Sequence, residues 1–314
     1  MGAILLAVTG LDPKPWEGRF RTLAPQRDIR IWPDRVGEPA EVAYACAWHA
    51  PNGLIARFAH LKVIFSLGAG VDHVVADPHL PDVPVVRIVD ADLTMRMTEY
   101  VVLHVLMHHR RQRRYDAQQR ARVWRELEQS AANDVAVGVM GLGVLGRDAA
   151  SALRWLGFRV AGWSRTPKTL TDVETFDGQD GLDAFLRRTE ILVCLLPATA
   201  ATRGVLNLSL LRRLKRDGAA GGAYLINAGR GALQVDADIL AALEEGSLTG
   251  ATLDVFPTEP LPATRHPKVT MTRTHWSQTF WVRSNASRPA CRWSRYWTGW
   301  PATRSATCFD SRIL

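Results

Sequence analysis

Apolar residues in this chain cluster in short unbroken runs, separated by longer stretches where they recur at helical spacing. Residues 3–8, 42–47, 63–66 and 83–89 are runs of the first kind, the pattern of strands buried on both faces. A short helix fits residues 54–58. From residue 92 to about 119 the spacing predicts a long helix, with Asp92 as N-cap and Leu93, Met97, Tyr100, Val101, Leu103 and Val105 on its inner side. The alternation then resumes, with strands at 135–140, 158–163, 191–196, 223–227, 250–255 and 268–271. The helices between them are expected at 147–156, 181–188, 208–214 and 236–245, the last capped by Asp236 and stopped by Gly246. Strand alternating with helix predicts an α/β chain with parallel sheets and ligands at the carboxyl ends of the strands. A hinge near residues 90–95 would divide it into two domains.

The strand at 135–140 runs directly into Gly141-Leu142-Gly143-Val144-Leu145-Gly146, then a helix, then a second strand. A glycine loop in that setting is the fingerprint of a doubly wound Rossmann nucleotide-binding domain. Gly141 permits a tight turn, Gly143 lets a pyrophosphate approach the backbone, and Gly146 allows close helix packing. The amides of Val144, Leu145 and Gly146 then face the phosphates with the helix dipole behind them. After the second strand, where an NAD enzyme carries a ribose-binding carboxylate, the chain reads Ser164-Arg165-Thr166-Pro167-Lys168. Hydroxyls at Ser164 and Thr166, with charge at Arg165 and Lys168, suit a 2′-phosphate. The expected cofactor is NADP, as NADPH, in preference to NAD.

Composition changes this picture little. A hydrophobic share of 47% and a charged share of 22% are ordinary for a globular protein. No run approaches the 18 apolar residues of a membrane span, and the start carries no convincing signal peptide or myristoylation pattern. Of the net charge of +8, residues 281–314 carry +5, six arginines against Asp310 alone, so nucleic acid is not an expected partner. Cys46, Cys194, Cys291 and Cys308 have no metal-ligand spacing and read as reduced thiols, two of them in strands, of a cytoplasmic protein.

Three further features stand at strand ends. Arg230 follows the strand at 223–227, Glu259 follows the next, and His275 follows the last. Together beside a nicotinamide, they would make a site for a small 2-oxo acid. Arg230 would grip its carboxylate and carbonyl through the planar fork, and His275 would protonate the carbonyl oxygen. Glu259 would orient the His275 ring and favour its charged form.

Gly68-Ala69-Gly70-Val71-Asp72, the loop from Gly141 to Gly146, the segment from Asn227 to Gly231 and that from Leu253 to Pro260 resemble the D-isomer-specific 2-hydroxyacid dehydrogenase family. Ser66 to His73, Trp163-Ser164-Arg165 and Glu259-Pro260-Leu261-Pro262 are similar to its glyoxylate/hydroxypyruvate reductase A branch. The resemblance covers roughly residues 40–280. It implies a smaller flavodoxin-like substrate domain at 1–90, a nucleotide-binding domain at 91–280 and a homodimer built on the helix from Asp92. It also implies that the amides of Ala69 and Gly70 bind the substrate carboxylate, with Trp48 bordering a small pocket. Asp254 would hold the nicotinamide carboxamide, and Leu196 and Pro197 would lie against the cofactor.

The chain departs from the family near its end. The family has Pro-His where this chain has Thr272-Arg273-Thr274-His275, so His275 falls one place late. From Trp281 onward the sequence resembles no part of the family and has no period, like the translation of a shifted reading frame. These departures predict a cofactor-binding fold with weak or absent reductase activity. The alternatives are a different D-2-hydroxyacid dehydrogenase, a nucleotide-sensing corepressor-like binding protein and an inactive paralogue.

Overall fold

The first strand, β1 (Ala3–Val8), is apolar throughout and buried throughout, because helical and irregular layers cover both its faces. Ile4, Leu6 and Val8 pack on one side with Trp16, Phe20 and Ile29. Leu5 and Ala7 pack on the other with Leu54, Ile55, Phe58 and Ile64. This alternation is the period-two geometry of a strand at the centre of a two-faced sheet.

The computed structural model describes residues 2–259 together with Thr270 and Met271. They fall into two compact units, one up to Ala91 and one from Asp92. In the first, β2 (Ile29–Ile31), β3 (Val42–Trp48), β4 (Val63–Ser66) and β5 (Val85–Arg87) join β1 in a parallel sheet of order β2-β1-β3-β4-β5. That order is flavodoxin-like. The second unit holds β6 (Ala136–Met140), β7 (Arg159–Ser164), β8 (Glu174–Asp177), β9 (Ile191–Cys194), β10 (Tyr224–Asn227), β11 (Gly250–Leu253) and β12 (Thr270–Met271). They pair in parallel as β12-β11-β10-β9-β6-β7-β8, the Rossmann order extended by one strand.

Several expectations need correction. The long helix is two, Ala91–His109 and Gln112–Arg120, broken where Arg111 takes a left-handed φ of 54°. Neither Gly nor Pro marks the break. Arg111 closes the first helix by donating its amide to the His108 carbonyl at 3.0 Å, and four arginines crowded within residues 110–114 repel one another. Asp92 is no cap; it lies in the first turn and pairs with Arg96 at 3.3 Å. Leu103 is exposed, and His104, His108 and His109 share the buried stripe with Met97, Tyr100, Val101 and Val105.

Asp236 likewise starts its helix (Asp236–Glu244) without capping it, since Val235 holds the cap position. The turn at 54–58 is a 3-10 helix of three residues (Ile55–Arg57), and the helix expected at 208–214 ends at Leu211. Among the elements that escaped the pattern are the helix Lys14–Leu23, whose buried face is only Trp16 and Phe20, the three-residue β2, the short helix Asp72–Val75 and the polar edge strand β8. The atypical tail from Trp281 lies outside the described residues.

The buried acidic and basic groups of the second unit include Glu190 and His108. Glu190 is fully buried and accepts from the amides of Ala136 (3.1 Å) and Ala220 (2.6 Å), which ties β6 to the segment before β10. His108 contacts Thr252 Oγ1 through Nε2 at 3.0 Å and stacks on Tyr224. Burial, with positive Arg113 and His104 nearby, pulls its pKa down to about 3. Because the unfolded chain binds this proton at about pH 6.5, the unfolded state gains protons first as pH falls. Stability conferred by neutral His108 is therefore complete above about pH 6.5 and is lost progressively toward pH 3, in total on the order of 5 kcal/mol. Urea midpoints measured from pH 7 to 4 should decline, and His108→Asn should flatten the decline. An equally steep decline in that variant would refute the assignment.

Candidate active site

The strand order reverses between β6 and β9, and in such sheets ligands bind outside the carboxyl ends at that point. Four loops leave neighbouring strands there: 141–143 after β6, 195–197 after β9, 228–231 after β10 and 254–259 after β11. Glycines let them meet backbone to backbone. A Cβ on Gly141, whose φ is +112°, would stand 2.9 Å from the Leu195 carbonyl. One on Gly229 would stand 2.7 Å from the Leu196 oxygen, and one on Gly231 2.0 Å from the Phe256 carbonyl carbon. Any side chain at these positions would open the seam.

Gly143 obeys a different requirement. Its φ of −73° is open to any residue, and a Cβ there would meet nothing within 4 Å. The room it leaves lies over the first turn of the helix Val144–Trp155. The ladder of that helix begins with Arg147 N donating to Gly143 O at 3.0 Å, so the amides of Val144, Leu145 and Gly146 precede it. Gly146 could carry no side chain, since a Cβ would lie 1.9 Å from the Gly141 oxygen. Bare backbone before the positive end of a twelve-residue helix fits a pyrophosphate.

The turn after β7 is basic and open. Arg165, Thr166 and Lys168 are exposed, and residues 164–168 hold no carboxylate. Ser164 differs from expectation: it is buried, and its hydroxyl donates to the Thr166 carbonyl at 2.8 Å. Only its lone pairs remain for other partners. Of the pair expected against the cofactor, Leu196 is buried and Pro197 exposed.

Arg230 is half-buried and extended, between two glycines that both press on neighbouring loops. Its Nη1 donates to the Gly229 carbonyl at 2.8 Å. Behind it the buried Asn227 amide donates to the Arg230 carbonyl (3.2 Å) and to Gln234 Oε1 (2.7 Å), and accepts from Gly229 N (3.1 Å). Asp254, partly buried, donates its amide to the Asn227 carbonyl at 3.0 Å. Glu259 is exposed and accepts from Phe256 N at 3.0 Å, closing its own loop. His275, its expected partner, lies outside the described residues.

In the first unit, the Trp48 ring at the end of β3 covers Gly68, where a Cβ would stand 2.6 Å from Trp48 Cζ3. Fully buried Ser66, at the end of β4, donates to the Gly70 carbonyl at 2.7 Å and accepts from Gly68 N at 3.3 Å. The amides of Ala69 and Gly70 meet no acceptor among the described residues. A loop pinned through its carbonyls with its amides open suits an anion such as a carboxylate. Ser66, Asn227 and Gln234 were not picked out from sequence. The signal existed in Ser66 and Asn227, single polar residues closing apolar strands, which must find partners once buried.

Among the described residues no group of His, Cys, Asp and Glu could hold a metal ion, and no helix is long and apolar enough to cross a membrane. A family model described as D-isomer specific 2-hydroxyacid dehydrogenase, NAD binding domain, matches residues 102–276. A relative named glyoxylate/hydroxypyruvate reductase A, from Yersinia enterocolitica, is 40% identical over 271 residues, 83% of this chain and 84% of the relative. Among solved structures, the NADPH-dependent glyoxylate/hydroxypyruvate reductase of Sinorhizobium meliloti, in complex with NADP and sulfate, superposes with a TM-score of 0.81. It is 44% identical, over 90% of this chain and 91% of that one. A probable 2-hydroxyacid dehydrogenase from Rhizobium etli, in complex with NADP, HEPES and L(+)-tartaric acid, gives a TM-score of 0.82 at 45% identity, over 88% of this chain and 89% of the other.

Proposed function

Because the chain belongs to the D-isomer-specific 2-hydroxyacid dehydrogenase family, we propose that it reduces a small 2-oxo acid, glyoxylate or hydroxypyruvate, to the 2-hydroxy acid with NADPH. The observation that carries the cofactor choice is the exposed basic turn at 165–168, free of carboxylates, beside a glycine loop that leaves room for phosphates. Bound NADPH supplies the hydride, and the residues of the chain supply orientation and charge.

Each site residue then has a task. Val144, Leu145 and Gly146 hold the pyrophosphate with Gly141 and Gly143, and Arg165, Thr166 and Lys168 take the 2′-phosphate beside Ser164. Leu196 and Pro197 back the cofactor, and Asp254 binds its carboxamide. Arg230 clamps the substrate carboxylate and carbonyl with its two-pronged guanidinium. In the first unit the amides of Ala69 and Gly70 are assigned to a substrate carboxylate and Trp48 to the border of a small pocket, as the family resemblance implies. His275 delivers the proton and Glu259 orients it. Residues 1–90 form the substrate domain and 91–280 the nucleotide-binding domain.

We read the protein as a cytoplasmic homodimer. Buried Cys46 and Cys194, with thiol pKa values raised by desolvation (Cys194 to about 12), are inert rather than disulfide-forming. Met95 and Leu103 on the helix Ala91–His109, and Trp124 after it, are exposed apolar residues that a second copy would cover. A single monomeric species in sedimentation equilibrium would refute the dimer.

The deciding assay follows NADPH absorbance with glyoxylate, hydroxypyruvate and pyruvate. Consumption with the first two supports the reductase. Preference for a larger 2-oxo acid would favour another D-2-hydroxyacid dehydrogenase, and tight NADPH binding without turnover would favour the sensor or the inactive paralogue.

A further inference from the structure

The loop that carries Arg230 is hydrogen-bonded to a series of side chains, Asn227, Gln234 and Asp236. The Asn227 amide grips the loop on both sides of the peptide that anchors the guanidinium. Its Oδ1 holds Gly229 N and its Nδ2 holds Arg230 O, while Arg230 Nη1 rests on Gly229 O between them. An amide can make these bonds in one orientation only, and something must set that orientation. Gln234, 5% exposed, presents Oε1 to Asn227 Nδ2 at 2.7 Å and Nε2 to Asp236 Oδ1 at 2.9 Å. A carboxylate accepts and does not donate, so Asp236 selects the NH2 end of Gln234. The oxygen of Gln234 then selects the NH2 end of Asn227, leaving Oδ1 for the Gly229 amide. The polarity runs one way, from Asp236 to the loop that carries Arg230. Buried amides with fully matched partners make such a network rigid.

We propose that Gln234 is a positioning residue for Arg230, with Asp236 as the anchor that orients it. The proposal rests on the reading of Arg230 as the clamp on the substrate carboxylate. The hydrogen bonds of Gln234 run to Asn227 and Asp236, on the loop after β10 rather than the glycine loop after β6, so substrate affinity and cofactor affinity should separate.

The test uses the full chain loaded with NADPH and titrated with oxamate, a 2-oxo acid analogue whose amide resists reduction, read by NADPH fluorescence. Gln234→Leu should raise the Kd for oxamate roughly tenfold, the loss of about one hydrogen bond's net contribution, while NADPH affinity stays within about twofold. Gln234→Glu should do the same, because it sets a carboxylate against that of Asp236. Combining Gln234→Glu with Asp236→Asn reverses the polarity of the outer pair, and the introduced carboxylate can accept from both amides. That double variant should return to within about threefold of the unmutated affinity, a rescue that mere space-filling would not produce. Should Gln234→Leu fail to fold, the Gln234→Glu single and double variants decide the matter alone.

Unchanged oxamate affinity in the single variants, or no rescue in the double, would overturn the proposal. So would parallel losses of oxamate and NADPH affinity. If the unmutated protein with NADPH bound no oxamate, the reading of Arg230 itself would fall, which is a separate result from variants that behave like a binding-competent parent.

Discussion

Arg230→Ala is expected to abolish most turnover of 2-oxo acids while leaving NADPH affinity within about twofold. Two charge-assisted hydrogen bonds to a carboxylate contribute about 1.5–3 kcal/mol each, so kcat/KM should fall by roughly two to four orders of magnitude. The half-buried guanidinium emerges between Gly229 and Gly231, among the loops after β9, β10 and β11, whereas the phosphates are expected after β6. Arg230→Lys should also be poor, because an ammonium on a flexible stem cannot reproduce the planar two-pronged contact. Steady-state kinetics beside a fluorescence titration of NADPH would check both. Proportional losses in turnover and cofactor binding would make Arg230 a structural residue instead.

Arg165→Asp should weaken NADPH binding by about one to two orders of magnitude and affect NADH far less. The arginine is exposed at the end of β7, in a turn without carboxylates. Pairing with a 2′-phosphate is worth about 1.5–3 kcal/mol, and roughly 1.4 kcal/mol is tenfold in affinity. An aspartate in its place would repel the phosphate and offer the ribose hydroxyl an acceptor. Equal affinity of the unmutated protein for NADH and NADPH, measured by fluorescence titration, would contradict the basis of this expectation.

The core strands were legible because burial on both faces forces an unbroken apolar run; β1 and β4 match the runs at 3–8 and 63–66 residue for residue. The glycine loop was legible because Gly141 and Gly146 answer steric demands of the fold while Gly143 leaves room for a ligand, all at fixed spacing. What escaped had weaker local signals. The left-handed break at Arg111 has no glycine or proline, and the guanidinium of Arg111 packs close to Gly221, a residue far away in sequence. The edge strand β8 is polar because one side faces no neighbouring strand. Gln234 was invisible as a site residue because its meaning lies in the direction of its amide, and direction is not written in a residue name. The histidine stripe of the helix Ala91–His109 looked polar in sequence but is buried among Tyr224, Phe158 and Thr252.

The glycine seam has a consequence for how this protein can drift under mutation. At Gly141, Gly229 and Gly231 a side chain collides with backbone, so folding and ligand binding fail together, and selection for a stable chain alone would preserve them. At Gly143 a side chain collides with nothing of the protein's own. A descendant that had lost its use for nucleotides could replace that one glycine without harm to its fold, and the sheet would persist as a scaffold after the chemistry had gone. Gly143 is thus the position at which the history of the fold and the history of the function can separate.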